Sequence, residues 1–313
     1  MTTDISDPKK TVAVVVATTN RRHEVERLIR RLSIQTQVPD RIVVVGVKQT
    51  DLPKKGFESH LPNTKYMTVL AKPGSCHQRN VGIDMVIENC DIIVFFDDDF
   101  VPSIHAIEGV IRTFDCNSQV VGVSGTCLAD GIISGGVDDA EADRIVDEFD
   151  AGFDSSNWSR NMLTSDLSSK GLYGCNMAMR SRAISANRFD EVLPLYGWLE
   201  DLDFSLRVAN GAALYRSSVF VGVHQGVTHG RTPGVRLGYS QVANPVYLIR
   251  KGVLGLKSGI TQACRNVLAN HVKSMYGAES WIDRKGRVKG NWIAFTDLVR
   301  GRVDPKRILD IKN

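Results

Sequence analysis

The apolar run Ile92-Ile93-Val94-Phe95-Phe96 meets three carboxylates in succession, Asp97-Asp98-Asp99, with Pro102 close behind. β-branched and aromatic residues without polar alternation are the pattern of a strand buried on both faces of a sheet. Core strands do not ordinarily end on three acids. In extended backbone the side chains alternate, so Asp97 and Asp99 share one side, roughly 6–7 Å apart at the backbone, and Asp98 faces the other. Two acids on one face repel unless a cation joins them. A hard, oxygen-seeking ion such as Mg²⁺ or Mn²⁺ suits the pair and brings phosphates with it. The simpler alternative is a solvated turn that ends a strand.

The chain of 313 residues, 42% apolar and 24% charged, has room for one large α/β domain and an appendage. Met1 to Lys10 lacks the apolar stretch of a secretory signal, and no eighteen apolar residues run together. The expected location is the cytoplasm. Cys76, Cys90, Cys116, Cys127, Cys175 and Cys264 form no CxxC pair, so reduced thiols are expected, with no disulfide and no structural zinc. The net charge of +4 is unevenly spread: residues 1–230 hold 23 Lys and Arg against 30 Asp and Glu, and residues 231–313 hold 16 against 5. Such a basic tail favours a phospholipid leaflet, nucleic acid or a phosphorylated acceptor. A solvated basic face on helices is the alternative.

In order, Thr11 to Ala17 is a buried strand ending at Thr18-Thr19-Asn20-Arg21, and Val25, Leu28, Ile29 and Leu32 recur at helical spacing. Arg41 to Val45 closes a right-handed βαβ unit. A strand at Tyr66 to Leu70 and a helix from about Cys76 to Val86 precede the aspartates. There is no GxxxxGK[ST] and no GxGxxG after the first strand, which argues against a P-loop NTPase and a dinucleotide dehydrogenase. A helix at Ile104 to Phe114 and a strand at Val120 to Gly125 follow. Residues 129–170, with eight acids between Asp138 and Asp154, read as a long, partly mobile segment. Gly171 to Arg180 surrounds a further strand, and Val219 to Val223 another. Around Tyr196, Trp198, Glu200, Asp201 and Asp203 the acids are either stabilised by the dipole of a helix start or form a general base beside an aromatic wall. Local physics does not choose between the two.

Four segments together resemble family 2 of the glycosyltransferases. They are the first strand ending in Thr-Thr-Asn-Arg, Pro73-Gly74 followed by Arg79-Asn80 and Gly82, the stretch Phe95 to Pro102, and Gly197 to Asp203 followed by Arg207. The resemblance covers roughly residues 10 to 230. It implies an α/β, GT-A fold, with a Rossmann-like, mostly parallel central sheet flanked by helices over residues 1–237 and a basic helical extension over residues 238–313. It implies an enzyme that inverts the anomeric carbon. Asp97 and Asp99 then hold Mn²⁺ or Mg²⁺ against the diphosphate of a nucleotide sugar, a UDP-sugar first among the candidates, with Asp98 near the ribose or sugar. Thr18, Thr19, Arg21, Arg79 and Asn80 fall where the family holds the nucleotide. Asp201, beside Glu200, takes the place of the base, and Trp198 and Asp203 that of the acceptor site. A histidine completes the metal set, His224 in preference to His229, and Arg231 is a candidate for the diphosphate. The chain departs from many relatives in having no acid directly after its second strand, where Val45 to Thr50 precede Asp51.

Beyond Gly238, Val246 to Lys257, Val267 to Met275 and Asn291 to Phe295 mix apolar groups with Lys and Arg, like amphipathic helices that lie on a leaflet without crossing it. The tail resembles those of bacterial exopolysaccharide enzymes, which implies a saccharide or lipid-linked acceptor and peripheral contact with the inner face of an anionic membrane, with no nucleic acid. Packing helices explain the tail almost as well. Two other classes stay open. A nucleotidyltransferase on sugar phosphates usually has a Gly-rich loop after the first strand, and Ala17-Thr18-Thr19-Asn20 has no glycine. A non-catalytic sugar-binding module has no need of Asp97, Asp99 and Asp201 together.

Overall fold

In the computed structural model, which describes residues 10–154, 158, 162–229, 232–277, 279 and 281–312, the strand β1 (Val12–Ala17) is apolar throughout because both its faces are covered. Val12, Val14 and Val16 pack with Val25, Leu28, Ile29 and Leu32 of α1 (Arg22–Ser33). Ala13 and Val15 pack on the opposite face with Cys76, Ile83 and Val86 of α2 (Ser75–Val86). Each such valine or leucine removed from water contributes roughly 1.5–3 kcal/mol, so both layers stabilise the sheet.

Between these helices lie β2 (Arg41–Gly46) and β3 (Lys65–Leu70), and after them β4 (Ile92–Asp97), β5 (Phe100–Pro102), α3 (Ala106–Cys116) and β6 (Val120–Asp130). The chain continues through α4 (Gly131–Ser134), α5 (Asp139–Ala151), β7 (Leu163–Asp166), β8 (Asn176–Arg180), α6 (Ser181–Ile184), α7 (Glu200–Ala209) and β9 (Ala213–His224). It ends in α8 (Gly234–Arg250), α9 (Leu256–Tyr276) and α10 (Arg284–Val299). Among the described residues one sheet runs β3-β2-β1-β4-β8-β6-β9-β5, with β7 also on β9. The β3-β2-β1-β4 half is parallel. Beyond it the sheet is mixed, β8 lying antiparallel to both β4 and β6 while β6 and β9 run parallel. This is the GT-A arrangement expected, with a helical C-terminal region.

Register sets the working edge. Ala17 stands opposite both Val45 and Asp97, so β1, β2 and β4 end together. His224 closes β9 opposite Phe100 on one side and Asp130 on the other.

Within residues 129–170, where the sequence shows little sustained period, the described residues form α4, α5 and β7, and residues 155–157 and 159–161 lie outside the described residues. Asp138 caps α5 by accepting from the Glu141 amide at 2.9 Å. Ala142 and Val146 are its only buried positions. Its acids form a stripe against α1: Arg27 meets Asp139 at 3.0 Å and Asp143 at 2.7 Å, and Arg31 meets Asp147 at 2.9 Å and Asp150 at 3.2 Å.

The tail divides between the two readings, α8 packing on α10 and α9 keeping an exposed face. Val246 to Arg250 complete α8, most of which is buried. It lies backbone to backbone on α10: a Cβ at Gly290 would stand 2.0 Å from the Val235 carbonyl oxygen, and one at Gly238 would stand 2.1 Å from that of Arg287. α9 is the exposed member, with only Gly259 and Asn270 buried. No helix among the described residues is long and apolar enough to cross a membrane.

Candidate active site

The carboxyl edge of the sheet opens into a cleft of about 770 Å³, a volume suited to a small ligand. Asp97, Asp99 and His224 meet there, each with one ligand-type atom within 4.8 Å of the others. His224 Nε2 lies 3.4 Å from Asp99 Oδ1 and 3.9 Å from Asp97 Oδ2. Asp99 is 3% exposed, and its Oδ1 has no hydrogen-bond partner of normal geometry among the described residues. A buried, unsatisfied carboxylate oxygen is costly unless a cation answers it. Two carboxylates and an imidazole fit Mn²⁺ by donor type, and Mg²⁺ through the oxygens. A divalent ion therefore suits these residues.

Behind the imidazole, Asp130 Oδ1 lies 3.1 Å from Nδ1, and the Tyr173 hydroxyl donates to Asp130 Oδ2 at 3.1 Å. An Nδ1–H held by a carboxylate turns Nε2 toward the aspartates. Burial draws the His224 pKa down, but the neighbouring carboxylates of Asp130 and Asp99 outweigh this and hold it well above the usual value. Burial likewise pushes Asp99 up, and His224, Arg21 and the Val227 amide overcome it, leaving its pKa at about 2. Asp130 and Tyr173 went unrecognised in the sequence, and a β6 read through to residue 130 is the signal that reveals the acid.

The opposite wall comes from α7. Arg79 joins the two: its Nη2 donates to Asp97 Oδ1 and its Nη1 to Glu200 Oε1, both at 2.7 Å. Acids far apart in sequence are thus linked by one guanidinium. Glu200 lines the cleft, and its pKa is pushed up to about 8, first by burial and then by Asp201, with Arg79 opposing. Asp201 accepts from the Gly174 amide at 2.8 Å through Oδ2, and burial raises its pKa as well. Asp201 is partly exposed, is not itself among the residues lining the cleft, and makes no ion pair among the described residues. Leu199, the residue before Glu200, stands at φ 75°, a left-handed turn that starts α7.

Thr18, Thr19, Arg21, Asp98 and Trp198 also line the cleft. Asp98 accepts from the Thr18 hydroxyl at 2.8 Å and from Arg21 at 2.9 Å. Burial raises its pKa. Arg21 additionally donates to the carbonyls of Val227 and His229, so it ties the segment after β9 to the aspartates. Besides Asp201, two of the expected site residues lie outside the lining. Asn80 is buried against the Phe189 backbone and Glu191, outside the cleft. Asp203 is fully buried between Arg207 and Lys251 at 2.7 Å each, also outside it. Asp51 takes the amides of Asn20, Val47 and Lys48 and is wholly buried, so it shapes the turn beside β1. His229 stands 3.2 Å from Glu24 and outside the metal group. Arg231 lies outside the described residues.

Among curated proteins nothing matches this chain. Among solved structures, the 1–349 portion of TarS from S. aureus shares 14% identity at a TM-score of 0.55, with 95% of this chain and 82% of that one covered. The mannosyltransferase PcManGT from Pyrobaculum calidifontis, in complex with GDP-Man and Mn²⁺, shares 13% at 0.50, covering 97% and 88%. Against a longer TarS structure the chain spans only 40% of that protein's length. At these identities the likeness is one of fold. The family described as "Glycosyl transferase family 2" matches residues 13–185, more than half of the chain and all the strands from β1 to β8. This chain belongs to glycosyl transferase family 2.

Proposed function

We propose that the chain is an inverting, divalent-metal-dependent hexosyltransferase. It moves a sugar from a nucleotide-diphosphate sugar, UDP-sugars being the first to test, to a saccharide or lipid-linked saccharide in bacterial polysaccharide assembly. The observation that carries this reading is the Arg79 bridge between Asp97 and Glu200, which joins a cation-seeking group to a carboxylate on the facing wall of one cleft, with Asp201 next to it in sequence. PcManGT, which has the same fold, holds GDP-Man and Mn²⁺ in its structure.

Asp97, Asp99 and His224 are the proposed metal ligands. A bound divalent ion would offset the charge of the leaving diphosphate. Arg21 and Thr18 fix Asp98 at the floor of the donor site, and Thr19 stands at its rim. Trp198 and Tyr196 offer the acceptor an aromatic wall. Asp203, being buried, is left out of the acceptor site, and Asn80 positions the segment around Phe189 instead of touching the donor. Asp201 is the proposed base. Glu200 is committed to Arg79, whereas Asp201 is held by the amides of Gly174 and Leu202 and by no cation among the described residues, which leaves its carboxylate to take the proton of the acceptor hydroxyl as that oxygen attacks C1 opposite the diphosphate. One such displacement inverts the sugar and needs no covalent intermediate.

The test is Asp201→Asn. Removal of a general base should lower turnover by about 10²–10⁴-fold. UDP binding in Mn²⁺ should stay near that of the parent. Parallel loss of UDP binding would refute this division of roles. We further propose that α9 rests on an anionic membrane, its exposed Leu256, Ile260, Leu268, Val272 and Met275 facing the lipid.

A further inference from the structure

The cleft does not end at the sheet. Its second wall is built by the C-terminal helices, and among the described residues its charged groups are Arg236 of α8, Lys273 of α9, Arg284 and Arg287 of α10, and a single acid, Glu279. The sheet side is the reverse, with Asp97, Asp98, Asp99 and Glu200 against Arg21 and Arg79. A divalent ion and a diphosphate would satisfy the acidic wall between them. The cationic wall keeps an excess of positive charge over its single acid, Glu279.

That wall is also rigidly built. Arg284 Nη1 donates to Asn270 Oδ1 at 2.9 Å, and Asn270 is fully buried. The Asn270 amide reaches Gln241 of α8 at 2.7 Å and Asn291 of α10 at 3.1 Å, so three helices fix the position of one guanidinium. Glu279 accepts from Arg284 through Nε at 2.8 Å and also through Nη2, and from Lys273 Nζ at 2.6 Å. A surface ion pair contributes little and needs no such buried amide network. An arginine has five N–H donors in a planar fork, and those not engaged by Asn270 and Glu279 remain for an oxyanion.

We propose that the cationic wall binds a phosphate group of the acceptor, so that the acceptor is a phosphorylated or diphosphate-bearing saccharide and not a neutral glycan. This rests on the glycosyltransferase reading given above. The phosphate belongs either to a soluble sugar phosphate or to a lipid diphosphate, and the two sources are separable.

The experiment is calorimetric titration of the full chain in EDTA with glucose 1-phosphate, farnesyl diphosphate and glucose, with UDP in Mn²⁺ titrated in parallel. Glucose 1-phosphate should bind where glucose does not. Binding should weaken about tenfold in Lys273→Gln and in Arg284→Gln, the loss typical of one hydrogen bond to a charged group. Lys273 is half-exposed, so its variant stands if Arg284→Gln disturbs folding. Tighter binding of farnesyl diphosphate assigns the phosphate to a lipid carrier, and no gain assigns it to a soluble acceptor. Equal affinity of parent and variants for glucose 1-phosphate overturns the proposal. So does a matching loss of UDP affinity, which would give these cations to the donor. If the parent fails to bind UDP in Mn²⁺, the transferase reading fails instead, and the EDTA arm still reports on the cationic wall.

Discussion

Glu200 is 5% exposed and hydrogen-bonded to Arg79, yet burial and the neighbouring Asp201 lift its pKa from an ordinary 4.5 to about 8. Between those values the folded chain keeps a proton that the unfolded chain has lost. Stability contributed by this group is therefore complete below about pH 4.5 and falls as pH rises through about 8. Glu200→Gln cannot ionise and should flatten the decline of Tm across that window. An unchanged pH slope in thermal melts of the variant would show that Glu200 is already charged in the folded chain. The same position illustrates how far residue types speak alone. Three acids beside Trp198 are compatible with a helix start and with a base, and they divide in the structure: Glu200 faces the cleft, Asp201 lies on the Gly174 amide, and Asp203 is a buried ion-pair partner. One turn of helix separates these directions.

Elements differ in how much of them a linear pattern carries. β1 throughout, β2 after Arg41 and β4 before Asp97 lack polar side chains because both faces are covered, and their limits were legible to within a residue. β6 was cut short at Gly125 because register shifts against β9 at three places interrupt its alternation, and with it went Asp130, the partner of His224. α5 has only two buried residues, and its acids are explained by Arg27 and Arg31, more than a hundred positions earlier. No local period contains that pairing. Contact between α8 and α10 is likewise visible only in three dimensions, and it gives a test. Alanine favours a helix interior over glycine by about 1 kcal/mol. At Gly290, however, a new Cβ meets the backbone of Val235 and Tyr239, which cannot rotate away. Overpacking costs about 1–3 kcal/mol, so the clash should win and Gly290→Ala should lower Tm by a few degrees. A rise in Tm would mean that the two helices are not in backbone contact.

At the scale of the whole molecule, charge is unevenly divided across the cleft. The acidic sheet half faces the basic helical half across the cleft, and α9 presents Leu256, Ile260, Leu268, Val272 and Met275, the last 72% exposed, at helical spacing. If that stripe meets lipid, the chain should co-sediment with phosphatidylglycerol vesicles and not with phosphatidylcholine ones, and Leu268→Glu should reduce the bound fraction several-fold. Equal binding by parent and variant would remove α9 from the membrane. The deeper claim is that Asp97, Asp99 and His224 grip one divalent ion through which a sugar nucleotide is held. Calorimetric titration of UDP into the parent and into Asp99→Asn, each in Mn²⁺ and in EDTA, addresses it directly. The account predicts binding by the parent in Mn²⁺ alone and its loss in the variant. Equal UDP affinity in EDTA, or an Asp99→Asn variant that binds as the parent does, would contradict it.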